Sequence, residues 1–273
     1  MSGPRVMVLC GRSPRHLHLA NRLCACAEVC AVVHEAPTQW TREKLLRNLR
    51  PAVAGRKVWR WLRDRRRYSG NPEARFFFGE ATPALVRPEL AHEVPSVSDP
   101  ALLALAERLA PELICVFGTS LIRGPLLERY PLINLHGGLS PEYRGADCTF
   151  WALHNGEPEQ VGCTLHFIDQ GIDTGRLIAH VSPEVRPDDD ELTLFWRGVR
   201  DSAEVYCEAL SRWRAGTLSG AVQPGRGRLY QVRDRSWRAE RALARRLARA
   251  SLPALPARLV WFPGDESKGG EDA

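Results

Sequence analysis

The chain has 273 residues, a length that suits one large domain or two modest ones at about 150 residues each. Its composition, 44% hydrophobic and 26% charged, is ordinary for a globular protein and excludes wholesale disorder or a fibrous repeat. No apolar run approaches the roughly 20 residues a membrane span needs. The apolar run at residues 6–10 is too short for a secretory signal, so the expected location is the cytoplasm.

A chain this long buries about three-quarters of its unfolded surface, so it needs no covalent staple. The 8 cysteines include no Cys-x-x-Cys pair and no following His pair at zinc-finger spacing. They are expected to be buried free thiols, with no metal site. The net charge of +6 rests on arginine and is concentrated in two places. Residues 56–67 carry seven cations and Asp64; residues 226–249 carry nine Arg against Asp234 and Glu240. Such segments are read as solvated helix faces, as ligands for a small anion, or as a nucleic-acid footprint. Trp59, Trp61 and Leu62 inside the first segment point to a helix with one packed face.

In chain order, residues 5–10 read as a buried strand of a parallel sheet, residues 14–28 as a helix and residues 29–34 as a second strand. This rhythm is that of an α/β domain. Residues 40–67 read as helix interrupted near Pro51 and Gly55. A helix at 100–109, a strand at 111–117, a short helix at 125–130 and a strand at 132–135 follow. Residues 162–168 and 176–181 read as an antiparallel pair across a glycine-rich turn. A long helix covers 190–213. The remaining residues read as helical or proline-rich rather than strand-like, ending in an acidic, frayed tail from Pro253. The expected division is a domain at 1–215 and a short basic extension at 216–273.

The loop after the first strand, Cys10-Gly-Arg-Ser-Pro-Arg-His16, has neither the dinucleotide glycine pattern nor a P-loop lysine, which argues against NAD and ATP. The densest run of polar and glycine residues is Leu132-Ile-Asn-Leu-His-Gly-Gly-Leu-Ser-Pro-Glu-Tyr-Arg-Gly145. Asn134 and His136 share one face at the carboxyl end of a strand, where open α/β sheets form ligand crevices. Gly137 and Gly138 leave room for a ligand against the backbone. Asp173 lies downstream in Gly171-Ile-Asp-Thr-Gly175. An amide, an imidazole and a carboxylate suit acyl transfer to an amine: Asn134 and His136 donate to an oxyanion, and Asp173 orients His136 and relays a proton. The spacing is equally that of a hydrogen-bonded structural pair. Ser140 lacks the strained elbow of a serine nucleophile. His166 reads as support for Asp173 or a second acid/base, Arg144 as an anion ligand or a loop brace, and Arg12 and Arg15 as ligands for an anionic tail.

The stretch from Leu113 to Ile178 resembles the folate-dependent formyltransferases. The matching residues are Asn134-Leu-His136, Leu139, Pro141, Gly145, then Gly162-Cys-Thr-Leu-His-Phe-Ile-Asp169 and Gly171-Ile-Asp-Thr-Gly175. The resemblance implies a Rossmann-like, mostly parallel twisted sheet with helices on both faces and a short helical C-terminal extension. It implies that Asn134, His136 and Asp173 are catalytic. It also implies that Phe117, Gly118, Ser120, Leu121, Asp169, Gly171 and Ile172 wall a pterin pocket, with 10-formyltetrahydrofolate as formyl donor and no metal. The loop at 11–15 departs from the phosphate loop of the ribonucleotide transformylases, and Gly138-Leu-Ser-Pro141 departs from the tRNA enzymes' Ser-Leu-Leu-Pro. The run from His136 to Gly145, with Phe150-Trp151 and Asn155-Gly-Glu-Pro158, looks most like the small-molecule amine formyltransferases. The expected acceptor is therefore a phosphate-bearing small-molecule amine such as a nucleotide-linked amino sugar or a natural-product intermediate. No membrane or nucleic-acid partner is expected, and a homodimer is left open. The alternatives are glycinamide ribonucleotide or methionyl-tRNA formyltransferase, a formyltetrahydrofolate hydrolase, and an idle binding module of the same fold.

Overall fold

A computed structural model describes residues 3–36 and 51–264. Strand β1 (Arg5–Cys10) is apolar along its length because both its faces are covered. Val6, Val8 and Cys10 enter one hydrophobic cluster and Met7 and Leu9 another, as a period of two requires. The sheet runs β10-β8-β7-β5-β4-β1-β2-β3. Its parallel half comprises β3 (Ala91–Val94), β2 (Glu28–Glu35), β1, β4 (Leu113–Phe117) and β5 (Leu132–His136). Its antiparallel half adds β7 (Cys163–Phe167), β8 (Leu177–Ser182) and β10 (Arg258–Trp261).

One face is covered by α1 (Pro14–Cys26) and α7 (Glu191–Arg214), through Leu19, Leu23, Val199, Ala203 and Tyr206. The other is covered by α4 (Pro100–Leu109) and α5 (Pro125–Arg129), through Leu102, Leu105 and Leu126. Asp190 caps α7 by accepting from the Thr193 N–H at 2.7 Å, which satisfies a donor left open at the helix start. The buried Tyr206 hydroxyl donates to Ile133 O (2.6 Å) and accepts from Val116 N–H (3.2 Å), tying α7 to β4 and β5 just before Asn134 and His136.

Helix α2 (Pro51–Arg67) is continuous through Gly55, whereas a break was expected there. Pro51 sits at its first position, where no amide donor is needed. Residues 40–50 of the expected helix, and the acidic end of the tail, lie outside the described residues. Helix α3 (Pro72–Phe78) follows. Short strands β6 (Tyr143–Gly145) and β9 (Arg228–Tyr230) form a separate parallel pair, and α6 (Cys148–Asn155) and α8 (Trp237–Arg249) pack together near it.

Two expectations are corrected. The C-terminal residues do form strands, β9 and β10, because partners distant in sequence offer open edges to them. Cys26 and Cys207 form a disulfide, with Cα atoms 5.8 Å apart, because α1 and α7 lie side by side. The other six cysteines are free, four of them buried. Among the described residues no helix is long and apolar enough to cross a membrane, and no His/Cys/Asp/Glu cluster is arranged to hold a metal.

Candidate active site

A cavity of about 500 Å³ opens at the carboxyl ends of β4 and β5. Every residue singled out from the sequence for catalysis or donor binding lines it: Asn134, His136 and Asp173 with Phe117, Gly118, Ser120, Leu121, Asp169, Gly171 and Ile172.

The end of β5 aims Asn134 and His136 to one side, as residues two apart on a strand must be. His136 is buried, and its Nε2–H donates to the carbonyl of Tyr143 at 3.0 Å. A carbonyl only accepts, so this contact fixes the tautomer and leaves Nδ1 facing Asp173 Oδ2 at 3.4 Å. His166, opposite Asn134 on the neighbouring strand β7, is fixed the same way. Its Nδ1–H donates to Phe167 O at 2.8 Å, while its Nε2 accepts from the Asn134 amide at 3.1 Å and lies 3.6 Å from Asp173 Oδ1. Asp173 thus sits between two imidazole nitrogens that are bare when the rings are neutral.

The backbone holds Asp173 at φ 51°, in the left-handed region, within the turn between β7 and β8. Its Oδ2 also accepts the Gly145 N–H at 2.9 Å. Burial works against its charge, but His136, then His166 and the Gly145 N–H, outweigh burial and hold the carboxyl well below the ordinary carboxylate range. Burial also holds His136 below the usual histidine value, against the opposing pull of Asp173. At neutral pH the carboxylate is charged and His136 is neutral.

Arg144 is a brace. It is buried, donates to the carbonyls of Ile172 and Gly227 at 3.3 Å each, and does not line the cavity. Gly145 has φ +87°, and a Cβ there would lie 2.1 Å from Tyr230 O, so β6 accepts only glycine at this point. Gly137 lines the cavity as expected, whereas the expectation for Gly138 is corrected: protein fills the space beside it. A Cβ on Gly137 would meet the Phe195 ring at 2.7 Å, and one on Gly138 would meet Cys148 and Tyr143 O. Ser140 is fully buried outside the cavity.

The donor-side wall has its own supports. His16 packs against Phe117, with ring centroids 4.7 Å apart and the planes tilted by 54°, and fills the space a Cβ on Gly118 would need. Glu35 accepts from Ser120 N–H (2.8 Å), Ser120 Oγ–H (2.6 Å) and Val97 N–H (3.0 Å), fixing the loop after β4. Burial opposes the Glu35 charge, but these bonds outweigh it and lower its pKa. Asp169 Oδ1 accepts from Gly171 N–H (2.9 Å) and Thr174 Oγ1–H (2.6 Å), bracing the opposite turn.

The two basic segments converge on this cavity, a contact that residues so far apart do not announce in sequence. Arg63 and Arg67 of α2 and Arg235, just before α8, all line it. Glu191 receives Arg67 (2.7 Å) and Arg235 (2.8 Å); Glu240 receives Arg63 (3.2 Å) and Arg235 (2.7 Å); Asp147 receives Arg235 (2.9 Å). Arg15 also lines the cavity, paired with the buried Glu73 at 2.8 Å, whereas Arg12 pairs with Glu93 outside it. Cys148 was not anticipated: its Sγ lies 3.5 Å from His136 Nε2, and burial raises its pKa well above the ordinary thiol value, so it meets the ring as a neutral thiol. Its only sequence signal is its place three residues after Gly145.

The chain is similar in sequence and in fold to known proteins. A methionyl-tRNA formyltransferase from Geobacter metallireducens is 38% identical over 130 residues, covering 46% of this chain. The trifunctional purine biosynthetic protein adenosine-3 of Drosophila melanogaster is 36% identical over 109 residues, covering 39% of this chain and 8% of that protein. The chain spans 42% of the length of the Geobacter relative. Among solved structures, a sugar N-formyltransferase from a Shewanella species superposes with a TM-score of 0.59 at 14% identity, over 97% of this chain and 99% of that one. Glycinamide ribonucleotide transformylase 1 of Symbiobacterium toebii gives 0.55 at 22% identity, over 83% and 94%. Both share the fold. The formyl transferase family model matches residues 64–210, more than half of the chain, taking in the carboxyl ends of β4 and β5, the Asp173 turn and most of α7, and the chain belongs to that family.

Proposed function

We propose that the chain transfers a formyl group from 10-formyltetrahydrofolate to the primary amine of a small molecule. The observation that carries this reading is the placement of Asp173 between His136 and the Asn134–His166 pair on the wall of the cavity. The residues present fit the donor. The volume of about 500 Å³ is that of a pocket for a drug-sized ligand, Phe117 offers an apolar face, and the braced segments at 118–121 and 169–172 offer main-chain polar groups. The donor, when bound, supplies a formyl carbon activated for acyl transfer.

The chain's own residues supply orientation, charge and proton handling. One hydrogen of the Asn134 amide goes to His166, which leaves the second to donate to the formyl oxygen as it gains charge. The amine must attack as the neutral base. Its proton is taken up on Nδ1 of His136, the bare nitrogen, where the carboxylate of Asp173 pairs with the imidazolium. The positive charge so created faces the developing oxyanion, and His136 then returns the proton to the donor's departing nitrogen as its bond to the formyl carbon breaks, which leaves the imidazole neutral again.

The acceptor we assign is a nucleotide-linked amino sugar or a related natural-product amine. The sharing of one fold, nearly end to end, with a sugar N-formyltransferase supports this class. Arg15, Arg63 and Arg67 on the cavity wall suit the phosphates of such a substrate, through the forked contacts guanidinium groups make. The test is incubation with 10-formyltetrahydrofolate and nucleotide-linked 3- and 4-amino sugars, glycinamide ribonucleotide, N-hydroxyornithine and initiator methionyl-tRNA, with products scored by mass spectrometry. One formylated sugar, lost in His136→Ala, establishes the reading. Formylated tRNA or ribonucleotide replaces the acceptor, and donor consumption without any amine product makes water the acceptor.

A further inference from the structure

Helix α2 has two faces. The face carrying Trp59, Arg63 and Arg67 turns toward the protein, with the Arg63 guanidinium 5.3 Å from the Trp59 ring and the salt bridges to Glu191 and Glu240 beyond it. The opposite face exposes Val58, Trp61 and Leu62, each more than half accessible. These residues recur at helical spacing, so they form one apolar stripe. Arg65 and Arg66 continue the same exposed side, and the Arg65 guanidinium lies 5.2 Å from the Trp61 ring.

Helix α8 exposes one further indole close to its salt bridge with α2. Its exposed Trp237 stands one turn before Glu240, the residue that receives Arg63. The Arg238 guanidinium lies 5.5 Å from the Trp237 ring, and Arg241 and Arg245 are exposed along the helix. Two indoles, each beside a guanidinium, thus lie within a turn or so of one junction. On a solvated helix face, Val58, Trp61 and Leu62 would be polar.

We propose that this α2–α8 face is a docking surface for an anionic lipid bilayer. An interfacial helix combines an apolar stripe of Trp and Leu with flanking cations and lies in the plane of the headgroups. Tryptophan rings settle at headgroup level, and each arginine near an anionic surface adds attraction that salt screens. The aliphatic pair Val58 and Leu62 decides between lipid and nucleic acid. Stacking platforms for single strands use aromatic faces, and duplex surfaces use cations; neither has a place for exposed aliphatic side chains one turn apart. Arg63 and Arg67, on the other side of α2, line the cavity, so a docked molecule holds its cavity beside the membrane surface. This inference stands whether or not formyl transfer is the reaction.

The test is co-sedimentation of the full chain with vesicles of phosphatidylcholine alone or with about one-third phosphatidylglycerol, at low and at physiological salt, with tryptophan emission recorded. Expected are capture by the anionic vesicles, a blue shift of emission, weaker capture at higher salt, and no capture by phosphatidylcholine alone. Arg65→Glu with Arg66→Glu lowers the vesicle affinity about tenfold or more, and Trp61→Ala with Leu62→Ala abolishes the blue shift. Circular dichroism checks that these exposed substitutions leave the fold intact. Absence of capture by anionic vesicles overturns the proposal, as does capture that the four substitutions leave unchanged. Tighter binding to a single-stranded RNA oligomer than to the vesicles, lost in the same variants, also overturns it.

Discussion

The side-chain amide of Gln223 holds the turn that carries Asp173. Its Nε2 donates to the carbonyl of Asp173 at 2.9 Å and to that of Gly175 at 2.8 Å. Asp173 has left-handed backbone dihedrals, which a non-glycine residue keeps only where its surroundings insist. Gln223→Ala is expected to lower turnover by about tenfold, since small misplacements of a reacting group are costly. Steady-state kinetics on the formylated product check this. Unchanged turnover would show that the turn holds its shape without Gln223.

Asp173→Asn keeps the size and the acceptor for Gly145 N–H but removes the charge that pairs with the imidazolium of His136. Turnover is expected to fall by about 10²–10⁴, the usual range for loss of acid–base assistance. Thermal unfolding should change little, which separates chemistry from folding.

Asn134 and His166 act as one unit through their 3.1 Å hydrogen bond. Asn134→Ala and His166→Ala are expected to lower turnover by less in combination than the product of their separate effects. A double-mutant cycle on turnover reads the coupling. Strict additivity would place His166 outside the mechanism.

Arg235 is 2% exposed at its side chain and serves Asp147, Glu191 and Glu240 together. Burial opposes its charge, but those carboxylates outweigh burial and keep it ionised. Arg235→Met takes the arginine from Asp147 and leaves Glu191 and Glu240 to Arg67 and Arg63 alone, and removing one member of a buried ion cluster costs about 3–5 kcal/mol. The melting temperature is expected to fall by roughly 10 °C. A fall of only a degree or two would mean that Arg63 and Arg67 suffice to hold Glu240 and Glu191.

Acid is expected to destabilise the protein earlier than carboxylate titration alone would. Burial lowers His16 to about 3, helped by the nearby Arg15 charge, and lowers His180 to about 4 against the hydrogen bond to the Ser140 carbonyl. Between those values and the ordinary histidine value of about 6.5, the unfolded chain binds protons that the folded chain refuses. Stability is therefore full above about pH 6.5 and falls as the pH drops through this window. Urea midpoints at pH 7, 6, 5 and 4 should decline steadily, and the decline should be shallower in His180→Gln.

Much of this was legible in the sequence for a physical reason. Strands buried on both faces, such as β1 and β4, must be apolar throughout, and Asn134, His136 and the Asp173 turn stand out as polar interruptions at strand ends. What was hidden depends on contacts distant in the chain. Nothing local marks Cys26 and Cys207 as partners across 181 residues, or brings Arg63 to Glu240 across 177. Strand β10 has an exposed face and pairs only because β8 presents a free edge. Gly138 reads as space for a ligand because a sequence shows that room exists and is silent about Cys148 and the Tyr143 carbonyl, which fill it.

The pairing of β6 with β9 has a consequence for synthesis of the chain. Asn134, His136 and Asp173 are all made before residue 174, but the braces of their geometry come later: Gln223, the Gly227 carbonyl that receives Arg144, and the strand from Arg228 to Tyr230 that seats Gly145. A nascent polypeptide halted near residue 215 would hold the reacting groups without their frame, and its β8 edge would stay unpaired until residue 258 arrived. The proposed site thus gains its full frame only once residue 230 has been made, well after its own side chains.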